Sequence, residues 1–177
     1  MYSSKNLRLR PFVESDAIYI NEMRLEFDAQ LAAGGSPYPM NIENHKEWIS
    51  KMYPYGVLTN IYFAVEEVGT HNFVGYCSAT NINYINRNAH VGFFLHKNAR
   101  GKGYYKEIQL LLYNYLFNEI NLKKVYTHVL EYNEISLNSM KKNGFEVDGI
   151  LKDHVYQCGT YHNLFILSLT KERFCGN

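Results

Sequence analysis

The stretch Ala89–Leu112, AHVGFFLHKNARGKGYYKEIQLLL, decides how the rest of the chain is read. Its opening alternates. Ala89, Val91, Phe93 and Leu95 share one face of an extended segment and are all apolar; His90, Gly92, Phe94 and His96 share the other. The spacing predicts a strand over 89–96. From Tyr105 the period changes. Tyr105, Ile108, Leu111, Leu112, Tyr115 and Leu116 follow one another at helical spacing and predict a helix with one broad buried face. Between the two lies Arg100-Gly101-Lys102-Gly103-Tyr104-Tyr105. A helix start has unpartnered N–H groups and the positive end of the helix dipole. Glycines let those groups approach an anion, and Arg100, Lys102 and Lys106 add positive charge. The turn therefore suits a phosphate. It is not a Walker loop, which needs GxxxxGK[ST], nor a dinucleotide fingerprint, because GKGYYK lacks the third glycine. These six residues alone fit a plain turn at the head of a helix equally well.

Working outward, Leu7–Arg10 alternates as a short strand. A helix is expected over roughly 14–26, with Ile18, Met23 and Leu25 among its apolar residues, and a second over 44–52 carrying Trp48. Residues 61–67 and 73–81 read as strands turning at Gly69, and 124–130 as another. Asn133 suits the cap of a helix over 134–143, and Gly144 its left-handed end. Phe145 opens a strand, the chain turns near Gly159, and 161–169 is the last strand. The order β-α-α-β-β-β-α-β-α-β-β predicts an α+β fold: a mixed, largely antiparallel sheet flanked by helices, as one domain over residues 1–177.

Composition narrows the function classes. The 177 residues carry a net charge of +1, so no basic field points to nucleic acid. Cys77, Cys158 and Cys175 are far apart, with no CxxC and no metal-ligand spacing, which suits free thiols in a reducing cytosol and no bound metal. MYSSKNLRLRPF lacks the apolar core of a secretory signal, and no run approaches the ~20 apolar residues of a membrane helix. A cytoplasmic protein without a membrane partner is expected. Free sheet edges and the last hairpin leave room for a homo-oligomer. Sixteen tyrosines are many; as core and half-exposed residues they need no further explanation.

Strand, R-G-K-G turn, amphipathic helix, strand and then NEISLNSMKKNGF resembles the GNAT superfamily of acetyl-CoA-dependent N-acetyltransferases, and more closely its RimJ/RimL and spermidine acetyltransferase branch. The resemblance runs from LRLRPF to YHNLFILSL. The family's phosphate signature, [Q/R]-x-x-G-x-[G/A], falls on Arg100, Gly103 and Tyr105; its N-x-x-[S/A] element and K-x-G-F ending fall on Asn133, Ser136, Lys142, Gly144 and Phe145. The resemblance implies that backbone N–H groups of Gly101, Lys102, Gly103, Tyr104 and Tyr105 hold the coenzyme A pyrophosphate beside Arg100. It implies that the pantetheine arm lies along Phe93, Phe94 and Leu95, near Asn133, with Ser136 and Asn138 on the flanking helix. Two positions depart from the pattern. Tyr105 stands where Gly or Ala is usual, and Met140 stands where many relatives carry a tyrosine that protonates the departing thiolate; a thioether has no proton to give.

An amine that attacks a thioester must be neutral. A lysine-like amine is only about 1 part in 2,000 neutral at pH 7. A base and an oxyanion donor are therefore expected. His90 is the candidate base, standing where relatives often have glutamate; a surface histidine on the polar face of a strand, with no part in catalysis, fits the same position. His154, Asp153 and Glu26 are weaker candidates. A backbone N–H around Phe94 is the expected oxyanion donor. Ser136 and Tyr132 are candidate acids, although a thiol near pKa 8.5 leaves without much help. Cys77 carries no motif for a covalent intermediate, so direct attack in a ternary complex is expected. The acceptor side is expected from the first two helices, the stretch AAGGSPYPM (32–40) and the last hairpin. Glu22, Glu26 and Asp28 suit an ammonium or a polyamine, and MYPYG (52–56) a sugar or nucleoside, if these residues do more than solvate and pack. Three readings stand: acetyl transfer to a small amine such as an amino sugar or polyamine, the same transfer to a protein N-terminus, and a module that binds acetyl-CoA without turnover.

Overall fold

The computed structural model describes residues 2–26 and 38–176. Seven strands form one sheet in the order β1-β2-β3-β4-β5-β7-β6. They are β1 Leu7–Arg10, β2 Ile61–Glu67, β3 Phe73–Asn83, β4 Asn88–Leu95, β5 Lys124–Leu130, β6 Glu146–Gln157 and β7 Thr160–Thr170. Neighbours run antiparallel except β4 and β5. Helices α1 (Ala17–Leu25) and α2 (Ile42–Ser50) cover one face; α3 (Tyr104–Asn114) and α4 (Glu134–Lys142) cover the other. The α+β expectation holds. No helix of the described residues is long and apolar enough to cross a membrane.

The period-2 pattern of β4 sorts its side chains as expected. Ala89 and Val91 are buried with Ile108 and Leu112 of α3 and with Leu116 just beyond its end, and Phe93 and Leu95 pack on that cluster. Phe94 joins the opposite cluster, with Trp48, Tyr62 and Tyr76. Asn133 caps α4 by accepting the Ser136 N–H at 3.1 Å, and Gly144 follows with φ +90°. The last hairpin turns on Cys158 and Gly159, both at positive φ.

Two features go beyond what the pattern gives. In α1 the buried stripe is Ala17, Ile20 and Met23, whereas Ile18 and Leu25 face solvent. A short helix laid on a sheet buries one row at i, i+3 and i+6, and both residues lie off that row. A last helix, α5 (Lys171–Gly176), was not legible: six residues carry no periodicity. It seats Phe174 on Tyr113 and Phe117, with ring centroids 5.9 and 5.3 Å away. Asp28 and positions 32–37 lie outside the described residues.

The start of α1 is fixed by charge. β1 alternates Leu7 and Leu9 into the core with Arg8 and Arg10 outward. Both arginines reach the buried Glu66 of β2, and Arg10 also clamps Asp16 at 2.7 and 2.8 Å. Burial alone would raise Glu66, but hydrogen bonds from His71, Arg10 and Arg8 outweigh it and hold the carboxyl at about 2. A carboxyl depressed on folding stabilises above its ordinary pKa and loses that contribution as pH falls through the folded value. Glu66→Ala is expected to lose about 3 kcal/mol at pH 7, because two guanidinium groups lose a buried partner. Urea titrations should also show a shallower loss of stability than wild type between the ordinary 4.5 and about 2.

Candidate active site

The sheet splits between β4 and β5. Their parallel ladder pairs Asn88↔Lys124, Ala89↔Val125 and His90↔Tyr126, then stops, although β4 runs on to Leu95 and β5 to Leu130. The backbone direction of β4 matters here. His96 N–H donates to the Val74 carbonyl at 3.0 Å, and the β3–β4 register is unbroken from Gly75↔Leu95 to Thr80↔His90. Hydrogen-bonded pairs alternate along an antiparallel ladder, so His90, Gly92 and Phe94 turn their backbone groups to β3. Val91, Phe93 and Leu95 turn theirs toward the split, over about 14 Å of strand. Of the amides around Phe94, those of Phe93 and Leu95 therefore face the split; the Phe94 N–H serves β3, and its ring stacks on Tyr76 with centroids 4.4 Å apart.

The turn Arg100–Gly103 lies at the open end of that split. Gly101 and Gly103 have φ +76° and +77°, and open space lies where a Cβ would be on each. Gly103 is the N-cap of α3 and offers no side-chain cap to the first N–H groups of the helix. That leaves amides, a positive helix end and room, which fits the diphosphate of a coenzyme A carrier. Two of the three cations have carboxylate partners within the protein. Arg100 pairs with Glu26 at 2.6 Å, and Lys102 lies 3.3 Å from Glu67. Tyr104 donates to Glu67 at 2.9 Å. Hydrogen bonds from Thr70, Tyr104 and Asn72 hold the Glu67 carboxyl at about 2, so it stays an anion beside the turn.

Helices α3 and α4 bridge the split from one face. Tyr105 does not point at the turn. Its ring packs on Phe93 at 5.7 Å, and its hydroxyl bonds Ser136. Burial pushes the phenol up to about 12. Ser136 thus shares the wall of the split with Asn133 and Tyr105. Asn138 does not: it is exposed, about 200° around α4 from Ser136. Met140 is buried, and its Sδ accepts from Gln109 Nε2 at 3.4 Å. Tyr132 lies outside α4, exposed.

His90 sits where the ladder ends, on the face of α1 and α2. Thr80 Oγ1 lies 3.3 Å from its Nδ1, and its ring is 4.9 Å from His128 and 5.5 Å from Tyr126. Burial first, and His128 second, lower its pKa to about 4. The ordinary imidazole expected from sequence is thus a neutral, weakly basic one. Partial burial and His154 lower His128 as well. Tyr126 and His128 were missed, yet period-2 counting along β5 sets them opposite buried Val125 and Val129. Asp153 is exposed on β6, and Cys77 is fully buried with its thiol pushed far up. Among the described residues no group of three or more His, Cys, Asp or Glu is placed to hold a metal.

On the same face an aromatic row leads away from Phe94. Tyr76 stacks on it, Trp48 of α2 lies 6.4 Å from Tyr76, and Tyr62 lies 5.3 Å from Trp48. Beyond Trp48 a cavity of about 240 Å³ opens, lined in part by Met52, Pro54 and Leu58.

Comparison with known proteins agrees with this geometry. The acetyltransferase (GNAT) domain family matches residues 6–146. The spermidine N(1)-acetyltransferase of Escherichia coli (strain K12) is 24% identical over 176 residues, covering 98% of this chain and 91% of that protein. The crystal structure of spermidine N-acetyltransferase from Vibrio cholerae in complex with CoA and spermine superposes with a TM-score of 0.88 at 22% identity, over 97% of this chain and 99% of that one. A dodecameric structure of the Vibrio cholerae enzyme gives 0.81 at 22%, over 97% of each chain.

If the turn holds a diphosphate through its amides, Gly103→Ala separates binding from folding. The left-handed backbone costs a non-glycine residue about 1–2 kcal/mol of stability. Coenzyme A affinity by calorimetry should fall at least about tenfold, because the amides lose their aim. A variant that binds coenzyme A as tightly as wild type would place the diphosphate elsewhere.

Proposed function

This chain belongs to the GNAT acetyltransferase family, and we propose that it moves an acetyl group from acetyl-CoA to a primary amine of a small cationic molecule, a polyamine or an amino sugar. The observation that carries the reading is the split between β4 and β5, with a glycine turn and an uncapped helix start at its open end. Val91, Phe93 and Leu95 offer the carrier arm a strand edge, as an edge offers itself to a peptide. Acetyl-CoA supplies an acetyl group activated as a thioester. The chain's own residues do the rest. Gly101 to Tyr105, with Arg100, bind the diphosphate. The N–H of Phe93 or Leu95 is aimed to receive a developing oxyanion. Ser136 and Asn133 line the arm.

His90 acts as a neutral hydrogen-bond acceptor for the amine at the end of the ladder, with Thr80 fixing its ring. A group with pKa about 4 does not become a second cation beside an ammonium at neutral pH. The aromatic row Phe94, Tyr76, Trp48 and Tyr62 suits a cation on its approach, and Glu22 and Glu26 of the α1 end give it carboxylates. The Escherichia coli and Vibrio cholerae relatives named for spermidine support the polyamine class. Exposed apolar residues on β6 and β7, among them Ile150, Tyr156 and Tyr161, support self-association, as does the dodecamer of the Vibrio cholerae neighbour. Exposed free Cys158 and Cys175 suit a cytoplasmic location.

Thiol release from acetyl-CoA over a panel of polyamines, amino sugars and short peptides tests the acceptor. Turnover with polyamines or amino sugars, and none with peptides, is expected. Turnover on peptide N-termini alone would assign the chain to protein acetylation, and binding without any turnover would make it a carrier module.

The pH profile tests His90. Because His90 is already neutral above about pH 5, its titration adds no limb near 6.5. With a polyamine, kcat/KM should climb steadily from pH 6 to 9 as the amine loses its proton. His90→Leu should lower it about tenfold through loss of the acceptor, and His90→Gln should retain most of it. An inflection near 6.5 that His90→Gln removes would restore an ordinary histidine base.

A further inference from the structure

Arg100 faces two claims. Its Nη2 lies 2.6 Å from Glu26 Oε2 and 3.3 Å from the Leu95 carbonyl, while it heads the turn assigned above to a diphosphate. Glu26 is the C-cap of α1. Its second oxygen, Oε1, is buried with no hydrogen-bond partner among the described residues. One oxygen on a single guanidinium and the other buried and unpaired leaves the carboxylate under-satisfied. One turn back, Glu22 Oε2 lies 3.1 Å from His96 Nε2 and 3.9 Å from Lys97. His96 is buried at the end of β4. Glu22 therefore pins the end of α1 to the strand, and Glu26 stays in place whatever Arg100 does.

We propose that Arg100 changes partner during the cycle: the diphosphate of the carrier draws it from Glu26, and the freed carboxylate takes an ammonium of the acceptor. The inference rests on the reading of the site given above and names what selects the substrate. A diphosphate offers a guanidinium more charge than one carboxylate does, and bidentate geometry besides. The guanidinium cannot discharge, so it binds one anion or bridges both. Once it leaves, Glu26 has two oxygens without a cation, close to the face that carries Phe94 and Trp48. A cationic amine satisfies them; a neutral one leaves them unpaired. Carrier and acceptor then bind with positive coupling, carrier first.

Calorimetry with coenzyme A and with spermidine as probes, on wild type, Glu26→Gln and Arg100→Gln, tests the exchange, with circular dichroism to confirm folding. Glu26→Gln removes the competitor, so coenzyme A should bind about two- to fivefold tighter. Saturating coenzyme A should tighten spermidine binding by the same roughly two- to fivefold in wild type, and not in Glu26→Gln, where spermidine binds about tenfold more weakly. In Arg100→Gln the carboxylate is always free, so spermidine should bind equally well with and without coenzyme A. Coenzyme A affinity unchanged or weaker in Glu26→Gln overturns the exchange. Spermidine affinity equal in wild type and Glu26→Gln, or spermidine binding to neither, overturns the role of Glu26 as acceptor for the cation. No heat with coenzyme A on wild type removes the site reading itself, and the exchange with it.

Discussion

Everything in this molecule turns on strands β4 and β5 being unable to stay paired. β5 is bound to β7 along its whole length, from Lys124↔Thr170 to Leu130↔Leu164. β4 is bound to β3 as fully, from Gly75↔Leu95 to Thr80↔His90. The seam between the two halves opens after His90 and Tyr126. Backbone groups are obligatory hydrogen-bonding groups. A strand that offers N–H and C=O groups with no neighbouring strand is a template for a ligand bearing amides. Gly75 shows how tightly the β3 side is closed: a Cβ there would lie 2.1 Å from the Phe94 carbonyl oxygen.

The seam does not unravel because α3 and α4 span it. Gln109 is 1% exposed and uses both ends of its amide, donating to Tyr113 and Met140 and accepting from Asn143 at 2.7 Å. Tyr105 adds a second tie to Ser136 one turn away. Met140 is thus part of the brace. The same brace limits the chemistry. A thioether has no proton to give, and the phenol of Tyr105 is engaged with Ser136 and pushed up by burial.

Most of the frame was legible because local rules and tertiary demands agree in it. The period-2 face of 89–95, the helical row from Tyr105 to Leu116, the Asn133 cap and the Gly144 stop all appear where the sequence puts them. The misses share a cause: each depends on a partner distant in sequence. The positive charge of Arg100 and Lys102 is read from the chain, but Glu26 and Glu67 that hold it lie 74 and 35 residues away. His90 reads as an ordinary imidazole until Thr80, Tyr126 and His128 close around it. The pattern leaves open which amide around Phe94 is free, and only the register with β3 shows that the even-numbered ones are taken.

Residue-resolved amide hydrogen exchange with and without coenzyme A goes most directly to the open seam. Occupation of the seam and turn should slow exchange at Phe93 and Leu95 and at Tyr104 to Lys106, and leave Gly92 and Phe94, already committed to β3, unchanged. Exchange at Phe93, Leu95 and the start of α3 that is indifferent to saturating coenzyme A would contradict the whole account.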